Sequence, residues 1–82
     1  MKQIEWTEPA LRDMEGLDRR TALRVQQAVE RFAETGGGDV KRLQGIDPLE
    51  FRLRVGDWRV RFDFVNHAIR VLRVLNRREA YR

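Results

Sequence analysis

Residues 51–64, with the sequence FRLRVGDWRVRFDF, constrain the fold more than any other stretch of the chain. Apolar and charged side chains alternate on both sides of Gly56-Asp57, which is the pattern of two β-strands joined by a tight turn. Successive side chains of a strand point to opposite faces, so one face of this hairpin is apolar and the other is charged. The charged face, called the arginine face below, carries Arg52, Arg54, Arg59 and Arg61. The apolar face must be covered, and the arginine face is predicted to be exposed and available for function.

Two helices are predicted before the hairpin in the sequence. Their apolar sides are expected to pack against the apolar face of the hairpin. Thr7 is a suitable N-cap with Pro9 in the first turn, and Ala10, Leu11, Met14 and Leu17 follow at helical spacing. A second helix is predicted from the N-cap Asp18 to Thr35, where three consecutive glycines end it. Its apolar stripe is formed by Ala22, Val25, Val29, Phe32 and Ala33.

Further strands are predicted on either side of these elements. Residues 2–6 alternate as a short strand, and residues 41–43 are expected to pair briefly with the sheet edge. A turn at Asn66-His67 precedes residues 69–75, which are apolar on both sides and therefore typical of an interior strand. The predicted fold class is α+β with the order β-α-α-β-β-β. A helical hairpin packs on one face of a small, mostly antiparallel sheet, and residues 1–82 form one domain.

The charges are distributed unevenly along the chain. The net charge is +4, but residues 1–40 carry six basic and eight acidic groups, whereas residues 41–82 carry eleven basic and five acidic groups. Positive charge therefore gathers on the half that makes the sheet, which favours a polyanionic partner. Fifteen of the seventeen basic residues are arginine, the side chain suited to bidentate phosphate contacts. Genome composition is an alternative explanation for the arginine bias, but it explains the clustering less well.

Several classes of protein and site are not expected for this sequence. There is no cysteine, so no disulfide framework or thiolate metal site can form. No apolar run approaches the roughly 20 residues that span a bilayer, and the N-terminus lacks the apolar segment of a secretory signal. A cytoplasmic protein without a membrane partner, metal or cofactor is expected. His67, the only histidine, lies in a predicted turn and is interpreted as an exposed turn residue.

Three segments resemble one known family. KRLQG at 41–45, RLRVGDWR at 52–59 and NRREAYR at 76–82 are similar to the RelE/ParE superfamily of toxins from bacterial and archaeal type II toxin–antitoxin modules. Membership of the RelE branch, which we favour, implies cleavage of messenger RNA in the ribosomal A site. Membership of the ParE branch implies DNA gyrase as the target and no nuclease chemistry. Both imply a cognate antitoxin, and a third alternative is a member that binds antitoxin without being toxic.

The resemblance implies roles for individual residues. Arg52 and Arg54 correspond to basic residues beside the scissile phosphate, and Arg59 corresponds to an arginine that holds it. Arg77 corresponds to an arginine that assists the leaving oxygen. Tyr81 corresponds to a tyrosine that stacks on or orients the substrate base. General RNA binding is expected from Lys41, Arg42, Arg61 and Arg78.

The implied reaction is attack of a ribose 2′-hydroxyl on the adjacent phosphate without a metal. The best-known RelE-type enzymes have lysine where this chain has Arg52 and Arg54. A guanidinium is not deprotonated in proteins, so neither residue is a credible general base, although both can stabilise the transition state electrostatically. The general base is left open. A solvated sheet face without function is the alternative interpretation of these arginines.

Overall fold

The chain folds into two helices and one five-stranded sheet. The structure is a computed structural model that describes residues 2–46 and 48–79. The elements are β1 (Gln3–Trp6), α1 (Glu8–Glu15), α2 (Arg19–Thr35), β2 (Asp39–Arg42), β3 (Phe51–Val55), β4 (Trp58–Val65) and β5 (Ala68–Asn76). The strand order is β1-β5-β4-β3-β2, and neighbours pair antiparallel except β1 and β5, which are parallel. The predicted α+β class and the interior position of β5 are confirmed, and β2 adds a fourth strand after the helices.

The helix ends follow the predicted capping residues. The Thr7 side chain accepts a hydrogen bond from the backbone N–H of Ala10, and Asp18 accepts one from the backbone N–H of Thr21. Helix α2 ends at Gly36, which adopts the left-handed conformation with φ 74° and donates its N–H to the carbonyl of Phe32. Glycine adopts this conformation without the penalty that a Cβ atom imposes.

The helices cover one face of the sheet, and the core lies between the two layers. The buried apolar residues are Ala10, Val25, Val29, Ala33, Leu53, Val55, Val60, Phe62, Ile69, Val71 and Val74. The predicted stripe of α2 is confirmed at Val25, Val29 and Ala33. Leu11 was expected to be part of the α1 stripe, but it is 48% exposed because α1 is short and buries only Ala10 completely.

A β-bulge in β5 decides which side chains of that strand share a face. Arg61 of β4 lies opposite Arg73, but the next residue, Phe62, lies opposite Val71, so Leu72 is the extra residue of β5. A bulge shifts the alternation of side chains by one position. Val71 and Val74 consequently both face the core, although they are three residues apart.

The turn between β4 and β5 has the backbone of a two-residue hairpin. Asn66 and His67 have φ values of 50° and 66°, the positive values that the two central residues of a type I′ turn require. His67 is exposed, as predicted from the sequence. Neither helix in the described part of the chain has the length and hydropathy to cross a membrane.

Candidate functional site: a cationic face of the sheet

Four basic side chains form a line across the sheet on the face opposite the helices. Lys41 of β2 pairs with Arg52 of β3, Arg52 with Arg61 of β4, and Arg61 with Arg73 of β5. These four residues are called the cationic row below. Neighbouring strands lie about 4.8 Å apart, so four like charges follow one another at short spacing. Such a line repels itself and attracts a polyanion.

A second line runs parallel to the cationic row, closer to the β3–β4 turn. Asp39 pairs with Arg54, Arg54 with Arg59, and Arg59 with Leu75. Arg54 is exposed, whereas Leu75 is 9% exposed. The predicted grouping of Arg52, Arg54, Arg59 and Arg61 on one face is therefore observed in the strand register.

Acidic residues from other segments restrain the cationic row. Arg52 lies 3.5 Å from Asp39, and Arg61 lies 3.0 Å from Glu50. Arg73 makes two hydrogen bonds to Asp13 of α1, at 2.8 and 3.2 Å, which raise the pKa of this arginine. Asp13 also accepts the backbone N–H of Val74 over 2.9 Å. These contacts fix guanidinium orientations without occupying every donor.

Three guanidinium donors of the face lack a partner. The Nε atoms of Arg52, Arg59 and Arg61 are buried and have no hydrogen-bond partner among the described residues. A buried, unpaired donor costs free energy, typically about 1–3 kcal/mol, so the packing of these arginines adds to the cost that their mutual repulsion already imposes. The three atoms belong to side chains adjacent in the register of β3 and β4.

Arg59 departs from its predicted exposure. It is only 7% exposed, and its Nη1 donates to the carbonyls of Gly56 at 2.8 Å and Trp58 at 3.1 Å. The side chain folds back over the β3–β4 turn, where these two carbonyls accept its N–H groups. The expectation of a freely exposed Arg59 is wrong, and this residue has a structural role whatever else it does.

The C-terminal arginines lie at the same end of the sheet as Arg59. Arg77 follows β5 in a turn, donates its backbone N–H to the carbonyl of Asp57, and has its guanidinium 3.9 Å from the Asp57 carboxylate. Arg78 lines a shallow depression together with Trp58, which is half-buried at its edge. Tyr81 lies outside the described residues.

Arg42 is separated from the other predicted RNA-binding residues. It pairs with Phe51, whose side chain packs against the core, so the register directs Arg42 to the helix-bearing face. Lys41, one residue earlier, joins the cationic row. The prediction grouped these neighbours because their charge is the same, but alternation along β2 divides them.

Sequence reasoning missed three residues of this face: Glu50, Arg70 and Arg73. Arg70 and Arg73 are three residues apart, and a regular strand would place them on opposite faces. The bulge at Leu72 places both on the arginine face, where Arg70 holds Asp63 through two hydrogen bonds of 2.9 and 2.6 Å. These bonds raise the pKa of Arg70. In the sequence, the only sign of this placement was that Arg70 and Arg73 interrupt an otherwise apolar run.

The face as a whole combines positive charge with N–H donors, a combination that is suited to an anion. Within residues 2–46 and 48–79, no group of three or more His, Asp or Glu side chains is arranged to hold a metal ion. Preorganised guanidinium groups stabilise negative charge that develops on a phosphate during its transfer. Proton transfer requires a different group, and carboxylates are the titratable side chains beside the row.

Comparison with known families decides what kind of protein carries this face. The model of the ParE toxin family of the type II toxin–antitoxin system parDE matches residues 4–81. This chain is a RelE/ParE-superfamily toxin of a type II toxin–antitoxin module. The resemblance found at residues 41–45, 52–59 and 76–82 is thereby confirmed. A search of curated protein sequences found no match for the toxin.

Solved structures resemble the toxin along almost its whole length. A chain of the RelB–RelE antitoxin–toxin complex from Methanococcus jannaschii matches with a TM-score of 0.76 at 20% identity, covering 94% of both chains. The RelE–RelB complex from Pyrococcus horikoshii matches with a TM-score of 0.77 at 19% identity, covering 96% of the toxin and 98% of that chain. The Escherichia coli RelBE complex matches with a TM-score of 0.69 at 15% identity, covering 93% and 96%. This likeness concerns the fold.

Proposed function

We propose that this toxin is a metal-independent endoribonuclease that cleaves ribosome-bound messenger RNA in the cytoplasm. A ribose 2′-hydroxyl would attack the adjacent phosphate, which the arginine face would hold. The observation that carries this proposal is the cationic row, in which Lys41, Arg52, Arg61 and Arg73 follow one another across four strands. Guanidinium groups bind phosphate through charge and paired N–H donors together.

The proposal divides the work between neighbouring arginines. Arg52 and Arg61 lie opposite each other in the register, and their side chains are 11% and 24% exposed. They would contact the phosphate from two strands. Arg54 is exposed and would contact the next stretch of the RNA backbone. Arg59 would support the turn beside the phosphate, and Arg77 and Tyr81 would act at the leaving oxygen and the base.

We also propose that a cognate antitoxin neutralises the toxin. The similar RelE chains from M. jannaschii, P. horikoshii and E. coli are all found in complexes with antitoxins. An antitoxin segment with acidic side chains would compete with RNA for the cationic row through the same charges. Co-expression with the neighbouring reading frame should restore growth and yield a stable complex. Growth arrest that persists with every neighbouring frame would contradict this part of the proposal.

Inhibition of DNA gyrase is the second candidate function. The matching family model describes ParE toxins, and the commitment of Arg59 to the carbonyls of Gly56 and Trp58 leaves fewer donors for phosphate. A gyrase inhibitor needs a surface for protein binding and no positioned nucleophile.

Inducible expression separates the two functions. If the toxin is a ribonuclease, growth arrest will coincide with new messenger RNA 5′ ends at A-site codons, while plasmid supercoiling stays normal. Arg54→Ala should weaken cleavage by about tenfold or more, because an exposed cation of the face is lost. Arg20→Ala, an exposed arginine of α2, is the matched control and should cleave normally. Growth arrest with intact transcripts and relaxed or broken DNA would replace the ribonuclease with the gyrase inhibitor.

A further inference from the structure

Glu50 places a carboxylate directly beside the cationic row. It precedes β3, and its Oε1 lies 3.0 Å from Nη2 of Arg61. The Glu50 side chain is 16% exposed, so it is partly shielded but reachable from the open face. Its backbone carbonyl accepts the N–H of Leu43 over 3.0 Å, which fixes the segment that carries it.

Two other carboxylates of this face are occupied, and a third is held less closely than Glu50. Asp63 binds Arg70 through both oxygens, and Asp13 binds Arg73 through both oxygens and also accepts the N–H of Val74. Asp39, 58% exposed on the edge strand β2, lies 3.5 Å from Arg52. Glu50 is closer to its arginine, at 3.0 Å from Arg61, and its side chain is less exposed, so it is held more firmly beside the middle of the cationic row.

We propose that Glu50 is the general base of the reaction, a role that rests on the proposed ribonuclease function. Its carboxylate would remove the proton of the ribose 2′-hydroxyl. The electron pair of that O–H bond would form the new bond from the 2′-oxygen to phosphorus, and the bond from phosphorus to the 5′-oxygen would break. The products are a 2′,3′-cyclic phosphate and a 5′-hydroxyl, whose oxygen takes its proton from water while Glu50 releases its own proton to solvent.

The position of Glu50 relative to Arg61 makes this assignment specific. If Arg61 contacts the scissile phosphate, the 2′-hydroxyl of the preceding ribose is attached one carbon away from that phosphate's 3′-oxygen. A carboxylate in contact with the same guanidinium would therefore lie near both the phosphate and this hydroxyl. A general base must come within hydrogen-bond reach of the proton that it removes, and this geometry allows it.

The strands next to Glu50 carry further charged groups. They are Lys41 of β2, Arg52 of β3, Arg61 and Asp63 of β4, and Arg70 of β5. Arg61 contacts Glu50 directly, whereas Asp63 is held by Arg70.

The test uses single-turnover cleavage of a defined messenger RNA on programmed ribosomes across a range of pH. Glu50→Gln keeps the shape of the side chain and removes its basicity, so cleavage should slow by about 100-fold or more. The wild-type rate should decline at acid pH, and Glu50→Gln should lack this decline. Binding of a 2′-deoxy-substituted messenger RNA should stay equal or become tighter, because one negative charge beside the row is gone. Glu50→Asp should recover part of the rate.

Glu30→Gln is the matched control, since Glu30 is exposed on α2. It should cleave at the wild-type rate. If Glu50→Gln cleaves within about threefold of wild type with the same pH profile, Glu50 is not the base although the ribonuclease function stands. If Glu50→Gln loses messenger RNA binding and melts at a lower temperature, Glu50 is structural and the proposal is overturned. If the wild-type toxin cleaves no messenger RNA, the proposed function and the role of Glu50 both fail.

Discussion

The two faces of the sheet are stabilised in opposite ways. On the helix-bearing face, Phe62 contacts the rings of Phe32, Phe51 and Phe64 at centroid distances between 5.2 and 5.6 Å, and packing alone holds these residues. On the arginine face, cations repel across the strands and are restrained by carboxylates such as Asp13, which is 60 residues from Arg73. The apolar side chains need no polar partner. On the arginine face, by contrast, the Nε atoms of three arginines have no hydrogen-bond partner among the described residues.

This difference shows why a small toxin can carry a charged site without losing its fold. The core requires only one face of the sheet, so the cost of like charges falls on the other face. Partly buried ion pairs offset some of that cost but rarely add net stability. The helix-bearing face should therefore dominate stability, and the arginine face should dominate activity.

The sharpest test of this division is Phe62→Ala. Phe62 is 1% exposed, and truncating a buried phenylalanine typically costs about 3–5 kcal/mol, a large part of the stability of a small domain. Urea denaturation monitored by circular dichroism measures the loss. Phe64→Ala, at a position that is 40% exposed in the same cluster, should cost less than half as much. Equal losses would mean that the helices do not define the core.

Arg59→Ala should affect both stability and activity, because this residue of the arginine face is buried. Removing its hydrogen bonds to the β3–β4 turn should lower stability by about 1–3 kcal/mol and also reduce toxicity. Arg54→Ala, on the adjacent and exposed position, should change stability by less than about 0.5 kcal/mol. Arg59→Lys should recover only part of the stability, since an ammonium cannot reproduce the planar fork. Thermal melts of the three variants measure these changes in stability. An unchanged melting temperature for Arg59→Ala would contradict the structural role of Arg59.

Asp13→Ala tests whether α1 holds the end of the cationic row. The change removes the acceptor of the Val74 N–H and both bonds to Arg73, and about 1–2 kcal/mol of stability should be lost. The Arg12–Glu8 pair offers the contrast, because its side chains are 74% and 76% exposed. Arg12→Ala should cost about 0.5 kcal/mol or less. Amide hydrogen exchange at Val74 should accelerate in Asp13→Ala but not in Arg12→Ala. Protection equal to wild type would show that Asp13 does not hold the Val74 N–H.

The smallest effect is expected at the N-cap of α2, away from both faces. The Thr21 hydroxyl and then its backbone N–H lower the pKa of Asp18 below its ordinary value of 3.8. Because the folded pKa is depressed, the cap stabilises the toxin above the unfolded pKa, and this contribution is lost as the pH falls through the folded pKa. Asp18→Asn should flatten the acid side of the stability profile below about pH 4 without changing activity at neutral pH. An identical acid profile in the variant would exclude the cap as a contributor.

Local rules predicted the parts of this fold whose determinants are close in sequence. Thr7 and Asp18 cap their helices through residues three positions away, and the hairpin at Gly56-Asp57 follows from alternation on either side. The bulge at Leu72 is not visible in such patterns, because it depends on how β5 aligns with β4. The placement of Arg70 and Arg73 was therefore missed.

Exposure of the candidate site was harder to predict than its composition. Alternation placed Arg59 on the correct face, but only the carbonyls of the folded turn explain why it is buried. The contact of Glu50 with Arg61 likewise joins a loop to a strand and requires the folded chain. Residue type and periodicity determine which face a side chain occupies, whereas partners distant in sequence determine its burial.

The parallel pairing of β1 with β5 gives the toxin a fixed order of completion during synthesis. Gln3–Trp6 pair with Ala68–Val71, and the Thr7 hydroxyl donates to the carbonyl of Val71. Strand β1, which is synthesised first, therefore cannot pair until β5 has been synthesised. At roughly 5–20 residues per second, the 65 residues that follow Gln3, up to Ala68, take roughly 3–13 s to make. The cationic row also needs Arg73 from β5. A nascent toxin therefore carries neither its closed sheet nor its full charged face until β5 has been synthesised.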